Sequence, residues 1–222
     1  MMRAAIFDFD GVLVNSEPLH FRALREALLP EGISIDEQAY ANEYLAYDDR
    51  GAIRLALGNH AKPADRDKVE EVAARKAELF DGWLTGIPFF AGARELVRQL
   101  AGAMPLAIAS GALTQEIEIM LTGGGVRDAF GAIVGADQVR NGKPHPEPYL
   151  LAMQRIADQA PGLTPAECLV FEDSPPGIAS ARAAGMKVVA VTNSYPAAKL
   201  GAANRVVASL VGLEMASLRE LF

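Results

Sequence analysis

Six short apolar runs, separated by stretches of helical periodicity, constrain the fold of this chain more than any other feature. The runs are AAIF (4–7), PLAIA (105–109), AIVG (132–135), CLVF (168–171), KVVAV (187–191) and RVVA (205–208). Between them lie helix candidates at 92–102, 113–123, 146–158, 175–184 and 209–220. Runs this short and this rich in Val, Ile and Ala are typical of strands buried on both faces. The alternation therefore predicts an α/β fold with a doubly wound parallel sheet.

The segment 16–86 interrupts this alternation. It has helical periodicity, as in PLHFRALREALL (18–29), and no run that is typical of a strand. TGIPFFAG (85–92) then supplies a Gly/Pro break before the alternation resumes. We predict a helical domain at 16–86, inserted after the first strand, and an α/β core domain formed by 1–15 and 87–222.

Composition and charge argue against several classes of function. The chain has 21 Lys and Arg against 28 Asp and Glu, a formal charge of −7, and no basic tract, which disfavours nucleic acid as a partner. No stretch approaches the ~18 apolar residues of a membrane helix, and the start, MMRAAIFDFDG, lacks the features of a signal peptide. The single cysteine, Cys168, cannot form an intrachain disulfide, and we interpret it as a small buried strand residue. We expect a cytoplasmic protein without nucleic-acid or membrane partners.

Polar residues follow four of the apolar runs, at or beyond the point where each predicted strand ends. They are Asp8 and Asp10 after the first run, Ser110 (followed by Gly111) after the second, Lys143 beyond the third, and Glu172 and Asp173 after the fourth. In an open parallel sheet, ligands bind outside the carboxyl ends of the strands. We therefore expect these side chains to meet at one edge of the sheet.

The charge of this set points to a bound cation. Four carboxylates and one ammonium give it a net charge of −3. Two carboxylates about 4 Å apart repel by roughly 4 kcal/mol at an effective dielectric constant near 20. Some carboxylates must then be protonated, or a divalent cation must bind. An all-oxygen, carboxylate-rich site suits Mg²⁺, which we predict as the cofactor.

Each of these signals has a simpler interpretation on its own. Two aspartates at a strand end can cap a turn, Ser110 before a glycine can be a helix N-cap, and Lys143 in a Pro-rich loop can be solvated. In EDSPPG (172–177), Ser174 can cap a helix with Pro175 in its first turn. Their order after successive buried strands favours one shared site.

Four motifs resemble those of the haloacid dehalogenase superfamily, and the resemblance covers nearly the whole chain. They are DFDGVL (8–13), IASG (108–111), GKPHPEPY (142–149) and FEDSPPGIASARAAGM (171–186). The first and fourth are specific, whereas the second is weak by itself. The resemblance implies a Rossmann-like core. The helical insert resembles the cap domain of the subgroup that contains β-phosphoglucomutase and many small-molecule phosphatases.

The resemblance implies a catalytic role for each of these positions. Asp8 would be the nucleophile that accepts the phosphoryl group as an aspartyl-phosphate. Asp10 would protonate the leaving alkoxide and then deprotonate the attacking water. Ser110, with backbone N–H groups near Gly111, would hold the phosphoryl oxygens, and Lys143 would neutralise charge in the transition state.

The resemblance also implies the Mg²⁺ ligands. These would be Asp8, the backbone carbonyl of Asp10, Asp173 directly, and Glu172 either directly or through water. Relatives that hydrolyse carbon–halogen bonds lack an aspartate at the position of Asp10, because no alkoxide has to be protonated there. Its presence favours phosphoryl transfer over dehalogenation.

The cap of such proteins closes over the substrate and supplies groups that recognise it. Candidates here are Glu17, His20, Tyr47, Asp49 and Arg50. His20 and Arg50 fall near a histidine and an arginine of the mutase, although His20 is also compatible with a structural role and Arg50 with a solvated helix start. We expect a small phosphate ester as the substrate, and a monomer, because the cap already covers the site.

Two departures weaken the interpretation as a mutase. The mutase pattern has Asp where this chain has Asn15, and a lysine where this chain has Ala46. Losing that cation weakens a site that must hold a second phosphate. We therefore predict a phosphatase acting on a small phosphorylated metabolite, such as a sugar or polyol phosphate, with a phosphosugar mutase as the alternative.

Two further alternatives belong to other functional classes. A signalling receiver also combines an acidic Mg²⁺ pocket, a phosphorylatable Asp, a Ser or Thr and a Lys, but such domains are much shorter and lack a helical insert. A long-lived phosphorylated Asp8 would support that alternative. A catalytically silent binding protein on this fold would be unaffected by removal of Asp10, whereas a phosphatase would lose turnover.

Overall fold

The structure, a computed structural model, describes residues 1–44, 47 and 49–222, with only the backbone of Thr85. The chain divides into two compact units. One, the core unit, comprises Met1–Asn15 and Pro88–Phe222, and the other, the helical unit, comprises Ser16–Ile87.

The core unit contains a parallel sheet of six strands. The strands are β1 (Ala4–Phe7), β2 (Leu106–Ala109), β3 (Ala132–Val134), β4 (Cys168–Glu172), β5 (Lys187–Val191) and β6 (Arg205–Val207). Their spatial order is β3-β2-β1-β4-β5-β6, and every neighbouring pair is parallel. β1 to β4 are buried along their whole length, as runs with apolar residues on both faces require. The predicted α/β fold with a doubly wound sheet is confirmed.

Helices of the core unit lie between strands along the chain, and the last helix follows β6. They are α5 (Ala93–Ala101), α6 (Thr114–Gly123), α7 (Glu147–Arg155), α8 (Pro175–Ala183) and α9 (Met215–Arg219). The helix predicted over 209–220 was too long, because Gly212 has a left-handed backbone (φ 70°) that interrupts it and α9 begins only at Met215. The start of α8 matches the expectation, since the Ser174 hydroxyl accepts a hydrogen bond from the Gly177 N–H.

The helical unit has its own apolar core. Its helices are α1 (Glu17–Leu28), α2 (Glu37–Ala39), which continues as a π-helical turn at Tyr40–Tyr44, α3 (Asp49–Asn59) and α4 (Arg66–Asp81). Each long helix buries one stripe, for example Val69, Val72 and Phe80 of α4. The described residues of this unit contain no strand.

Short 3₁₀ turns complete the description. They lie at Leu29–Glu31, Leu84–Gly86, Arg127–Ala129, Ala136–Gln138, Ala157–Gln159, Pro165–Glu167 and Ala197–Lys199. Among the described residues, no helix is both long and apolar enough to cross a membrane.

Candidate active site at the carboxyl edge of the sheet

The register of β1 and β4 brings two acidic residues to the same edge of the sheet. Phe7 of β1 lies opposite Phe171 of β4, so Asp8 and Glu172 leave the sheet side by side. The Asp8 N–H donates a hydrogen bond to the Phe171 carbonyl at 2.9 Å, which extends the ladder by one residue. β1 lies where the strand order reverses, which is the usual ligand site of such sheets.

A tight loop follows Asp8 and contains Asp10. Its apolar side chains, Phe9, Val12, Leu13 and Val14, are fully buried, and the Leu13 N–H donates to the Phe9 carbonyl at 2.8 Å. Gly11 has a φ of 75°, and a Cβ atom there would lie 1.8 Å from Asp173 Oδ2. Glycine is therefore required both by the backbone and by the close approach of Asp173.

Ser110 directly follows β2, the strand that pairs with β1. Its N–H donates to the Val134 carbonyl at 3.0 Å, and its hydroxyl accepts from the Ala112 N–H at 3.1 Å. The side chain is buried, whereas Gly111 is exposed. Because α6 begins only at Thr114, the interpretation of Ser110 as a helix N-cap is wrong.

Lys143 bridges two of the acidic residues. Its Nζ lies 2.9 Å from Asp8 Oδ1 and 2.7 Å from Glu172 Oε1, and its side chain is only 13% exposed. The alternative of a solvated loop lysine is therefore wrong. Burial alone would lower the pKa of Lys143, but the two carboxylates raise it above its ordinary value, so the ammonium stays charged.

Glu172 is saturated with donors from the protein. Oε1 accepts from Lys143 Nζ and from the Tyr149 hydroxyl, both at 2.7 Å. Oε2 accepts from the Asp173 N–H at 2.9 Å, the Ser174 N–H at 3.0 Å and the Ser174 hydroxyl at 2.9 Å. Burial would raise the pKa of Glu172, but Lys143 and these hydrogen bonds lower it, so the residue is an anion.

Asp8 and Asp173 differ from Glu172, because nearby positive charge and hydrogen-bond donors compensate their negative charges poorly. Burial, then repulsion from Glu172 and Asp173, raises the pKa of Asp8 well above its usual range in spite of Lys143. Burial, then Glu172, raises the pKa of Asp173 to about 7, and Asp10 adds to this repulsion. One lysine therefore does not neutralise the cluster.

This electrostatic imbalance fits a site for a cation. Asp8, Glu172 and Asp173 are all buried, and each offers an oxygen atom within 4.8 Å of the others. Since the oxygens of Glu172 already accept five hydrogen bonds, Asp8 and Asp173 are the carboxylates with capacity left for a metal ion. All donors are oxygen atoms, the set that hard divalent cations prefer.

Replacing Gly177, the glycine of EDSPPG, is expected to lower the stability of the protein. A Cβ atom on Gly177 would lie 1.6 Å from Glu172 Oε1, and Glu172 is fully buried. We expect Gly177→Ala to lower the free energy of unfolding by about 1–3 kcal/mol, the range for overpacked sites. Denaturant unfolding tests this, with Gly201→Ala, which has open space around it, as the matched control. Equal stability of the two variants would contradict the packing described here.

The candidate residues of the helical unit are placed as follows. Glu17 accepts a hydrogen bond from the Tyr40 hydroxyl, Tyr47 is 55% exposed, and Arg50 forms hydrogen bonds of 2.7 and 2.9 Å to Glu70. Ala46 lies outside the described residues. Asn15, in the core unit, is half-buried, and its N–H donates to the Pro88 carbonyl at 2.9 Å.

The structure brings His20 and Asp49 together through a residue that the sequence analysis missed. Lys76 of α4 donates to Asp49 Oδ1 at 2.5 Å, lies 3.2 Å from His20 Nδ1 and is itself buried. The His20 ring stacks on Phe80 at 4.3 Å. A signal was present, because Lys76 falls between Val72 and Phe80 in the buried stripe of α4, where a charge is unusual.

The environment of His20 predicts a histidine that resists protonation. Burial, then the Lys76 ammonium, lowers its pKa from 6.5 to about 4, although Asp49 opposes the shift. The unfolded chain takes up this proton between pH 6.5 and 4 and the folded chain does not, so His20 lowers stability as the pH falls through that window. We expect Lys76→Met to raise the pKa of His20.

An NMR titration of the histidine rings measures this directly. The chain has three histidines, so His60 and His145 report on any global change in the variant. A His20 that titrates near 6.5 in the unmodified protein, or at the same pH with and without Lys76, would contradict the proposed effect of the ammonium.

Comparisons with known proteins agree on one family. The family model described as haloacid dehalogenase-like hydrolase matches residues 5–191. The chain is 35% identical to the fructose-1-phosphate phosphatase YqaB of Escherichia coli, over 84% of this chain and 94% of that protein. It is 31% identical to the phosphorylated carbohydrates phosphatase of Thermotoga maritima, over 84% of this chain and 83% of that protein.

A solved structure has the same fold over the full chain. The crystal structure of a putative β-phosphoglucomutase from Thermotoga maritima superposes with a TM-score of 0.79, covers 100% of both chains and is 27% identical in sequence.

Proposed function

The chain belongs to the haloacid dehalogenase-like hydrolase family, and on this basis we propose that it is a Mg²⁺-dependent phosphatase of small phosphorylated metabolites. The observation that carries the proposal is the position of Lys143, whose ammonium lies 2.9 Å from Asp8 and 2.7 Å from Glu172. An ammonium held against a carboxylate nucleophile lowers the repulsion that a phosphate dianion would meet there.

In the first half of the reaction, an Asp8 carboxylate oxygen attacks phosphorus. The new bond to phosphorus forms as the bond from phosphorus to the ester oxygen breaks, and the electron pair of that bond leaves with the oxygen. Asp10 gives its proton to this oxygen, so the product departs as an alcohol. Ser110 and the N–H groups beside Gly111 hold the phosphoryl oxygens, while Lys143 neutralises the charge that develops on them.

In the second half, water releases the phosphate. Asp10, now a carboxylate, takes a proton from the water as its oxygen attacks phosphorus. The bond between phosphorus and the Asp8 oxygen breaks, and Asp8 returns to a carboxylate. Inorganic phosphate leaves, and Asp10 is again protonated, so both residues end as they began.

Mg²⁺ would be held by Asp8, Asp173 and the backbone carbonyl of Asp10. When bound, it supplies positive charge that offsets repulsion among the carboxylates and between them and the substrate phosphate. The raised pKa values of Asp8 and Asp173 support this proposal. Both residues must be ionised to act in these roles, and a bound cation would supply the positive charge that favours their ionised forms. Glu172, engaged by five donors, would act through Lys143 and through water.

A sugar or polyol phosphate is the proposed substrate class. Both curated relatives described above carry names of phosphatases that act on phosphorylated sugars. The second candidate is a phosphosugar mutase, favoured by the likeness to a putative β-phosphoglucomutase over the full chain. Asn15, where the mutase pattern has Asp, supports the phosphatase over the mutase.

The experiment that tests this proposal is a phosphate-release assay across sugar, polyol and nucleotide monophosphates, with Mg²⁺ or with EDTA. We expect release from sugar or polyol phosphates that stops in EDTA. The panel includes β-glucose 1-phosphate, followed by NMR. Its conversion to glucose 6-phosphate without net phosphate release would replace the phosphatase with the mutase, and inactivity on every ester would refute both.

A further inference from the structure

Tyr149 contacts both charged partners that lie beside Asp8. It lies on α7, is fully buried, and donates its hydroxyl hydrogen to Glu172 Oε1 at 2.7 Å. The centre of its ring lies 4.9 Å from Lys143 Nζ, so the ammonium also faces an aromatic ring.

The Tyr149 hydroxyl and Lys143 share one acceptor atom. Both reach Glu172 Oε1 at 2.7 Å, while Lys143 also lies 2.9 Å from Asp8 Oδ1. A carboxylate oxygen that accepts a second hydrogen bond attracts the first donor less strongly. Without the hydroxyl, Lys143 would be the one side-chain donor left on Oε1 among the described residues, and it would move toward Glu172 and away from Asp8.

Packing alone does not account for this tyrosine. Its ring belongs to the apolar cluster that also contains Ile6, Val170 and Ile178. Phenylalanine would fill that space equally well. A buried hydroxyl lowers stability unless it is hydrogen-bonded, and here the bond goes to the carboxylate that holds Lys143.

We propose that Tyr149 is a positioning residue that keeps Lys143 between Glu172 and Asp8. The proposal rests on the proposed function only in the consequence we assign to it, which is a loss of turnover. Lys143 interacts with the phosphoryl group most strongly when charge develops in the transition state, so a displaced ammonium lowers kcat more than it changes KM.

Tyr149→Phe tests the proposal, because it removes the hydroxyl and keeps the ring. With p-nitrophenyl phosphate and Mg²⁺, we expect kcat to fall about 10-fold or more, the scale of a lost supporting contact, and KM to change by less than about threefold. Tyr195→Phe is the control, since it also removes a hydroxyl from a ring that faces a lysine, with Lys199 Nζ 5.5 Å from the ring, at a position that is only half-buried. We expect it to leave kcat unchanged.

A double-mutant cycle with Lys143→Met shows whether Tyr149 acts through the lysine. In that background, Tyr149→Phe should change kcat by no more than about twofold, because the group that it positions is gone. Equal losses in both backgrounds, or an unchanged kcat accompanied only by a lower unfolding temperature, would overturn the proposal. An unmodified protein that hydrolyses no ester would refute the proposed function, whereas an active one with a fully active Tyr149→Phe variant would refute only this inference.

Discussion

Replacing Asp8 with asparagine is expected to lower kcat by about 10⁴-fold or more, the scale on which a lost covalent nucleophile acts. An amide oxygen is too weak a nucleophile to attack a phosphate monoester. The geometry is retained, because the amide oxygen can still accept from the Phe9 N–H and from Lys143, which lie 2.7 and 2.9 Å from Asp8 Oδ1. The loss would therefore be chemical rather than structural.

Stability separates these two explanations. Asp8 has a raised pKa because it is buried and repelled by Glu172 and Asp173, so Asp8→Asn removes a source of repulsion. We expect an unfolding temperature equal to or higher than that of the unmodified protein in EDTA. Asp158→Asn, at an exposed position of the core unit, is the matched control and should remain fully active. Phosphate release by Asp8→Asn at even a tenth of the normal rate would exclude Asp8 as the nucleophile.

Asp10→Asn is expected to lower kcat by about 10²–10⁴-fold, the contribution of a general acid and base. The asparagine side chain has no proton to give to the leaving oxygen and no basic oxygen to accept one from water. The effect should depend on the leaving group. With p-nitrophenyl phosphate, whose product is a stable anion, the first step needs little acid. Asp10→Asn should therefore lower kcat/KM less with this substrate than with an alkyl phosphate.

This dependence distinguishes the proposed enzyme from the two other classes. A receiver-like protein would keep a long-lived phosphoryl group on Asp8 whether or not Asp10 is present, and a silent binding protein would show no turnover to lose. The same loss of kcat/KM for aryl and alkyl esters would contradict a role of Asp10 as the acid. The quantity to compare in the variant and in the unmodified protein is kcat/KM, because kcat also includes the second step, in which Asp10 acts as the base for every substrate.

Much of the core could be predicted because its strands are short, apolar and regularly spaced. Buried strands with apolar residues on both faces produce continuous runs, and the polar residues that follow them mark the ligand-binding edge. The positions of Asp8 and Glu172 relative to each other depend on the strand register, and that of Lys143 depends on the loop after β3; the sequence pattern specifies neither. The register places Phe7 beside Phe171 and so places Asp8 beside Glu172.

The missed features share one physical cause, since each depends on contacts between residues distant in the chain. Tyr149 is typical of an apolar position of α7 until its hydroxyl is seen on Glu172. Lys76 is an unusual charge in the buried stripe of α4, but only the fold shows that its partners are Asp49 and His20. The saturation of Glu172 likewise depends on Lys143 and Tyr149, which are distant in the chain. Its three other hydrogen bonds come from the adjacent Asp173 and Ser174. Periodicity indicates which face of a helix is buried, but not what a polar group on that face will contact.

The measurement that tests the central claim most directly is the search for a phosphoryl group on Asp8. The protein is mixed with substrate and Mg²⁺, quenched in acid during turnover, and digested for peptide mass spectrometry. We expect a peptide containing Asp8 to gain the mass of one phosphoryl group, and the gain to disappear once substrate is exhausted and in Asp8→Asn. Steady phosphate release with no phosphorylated Asp8 at any quench time, or with the group on another residue, would contradict the account.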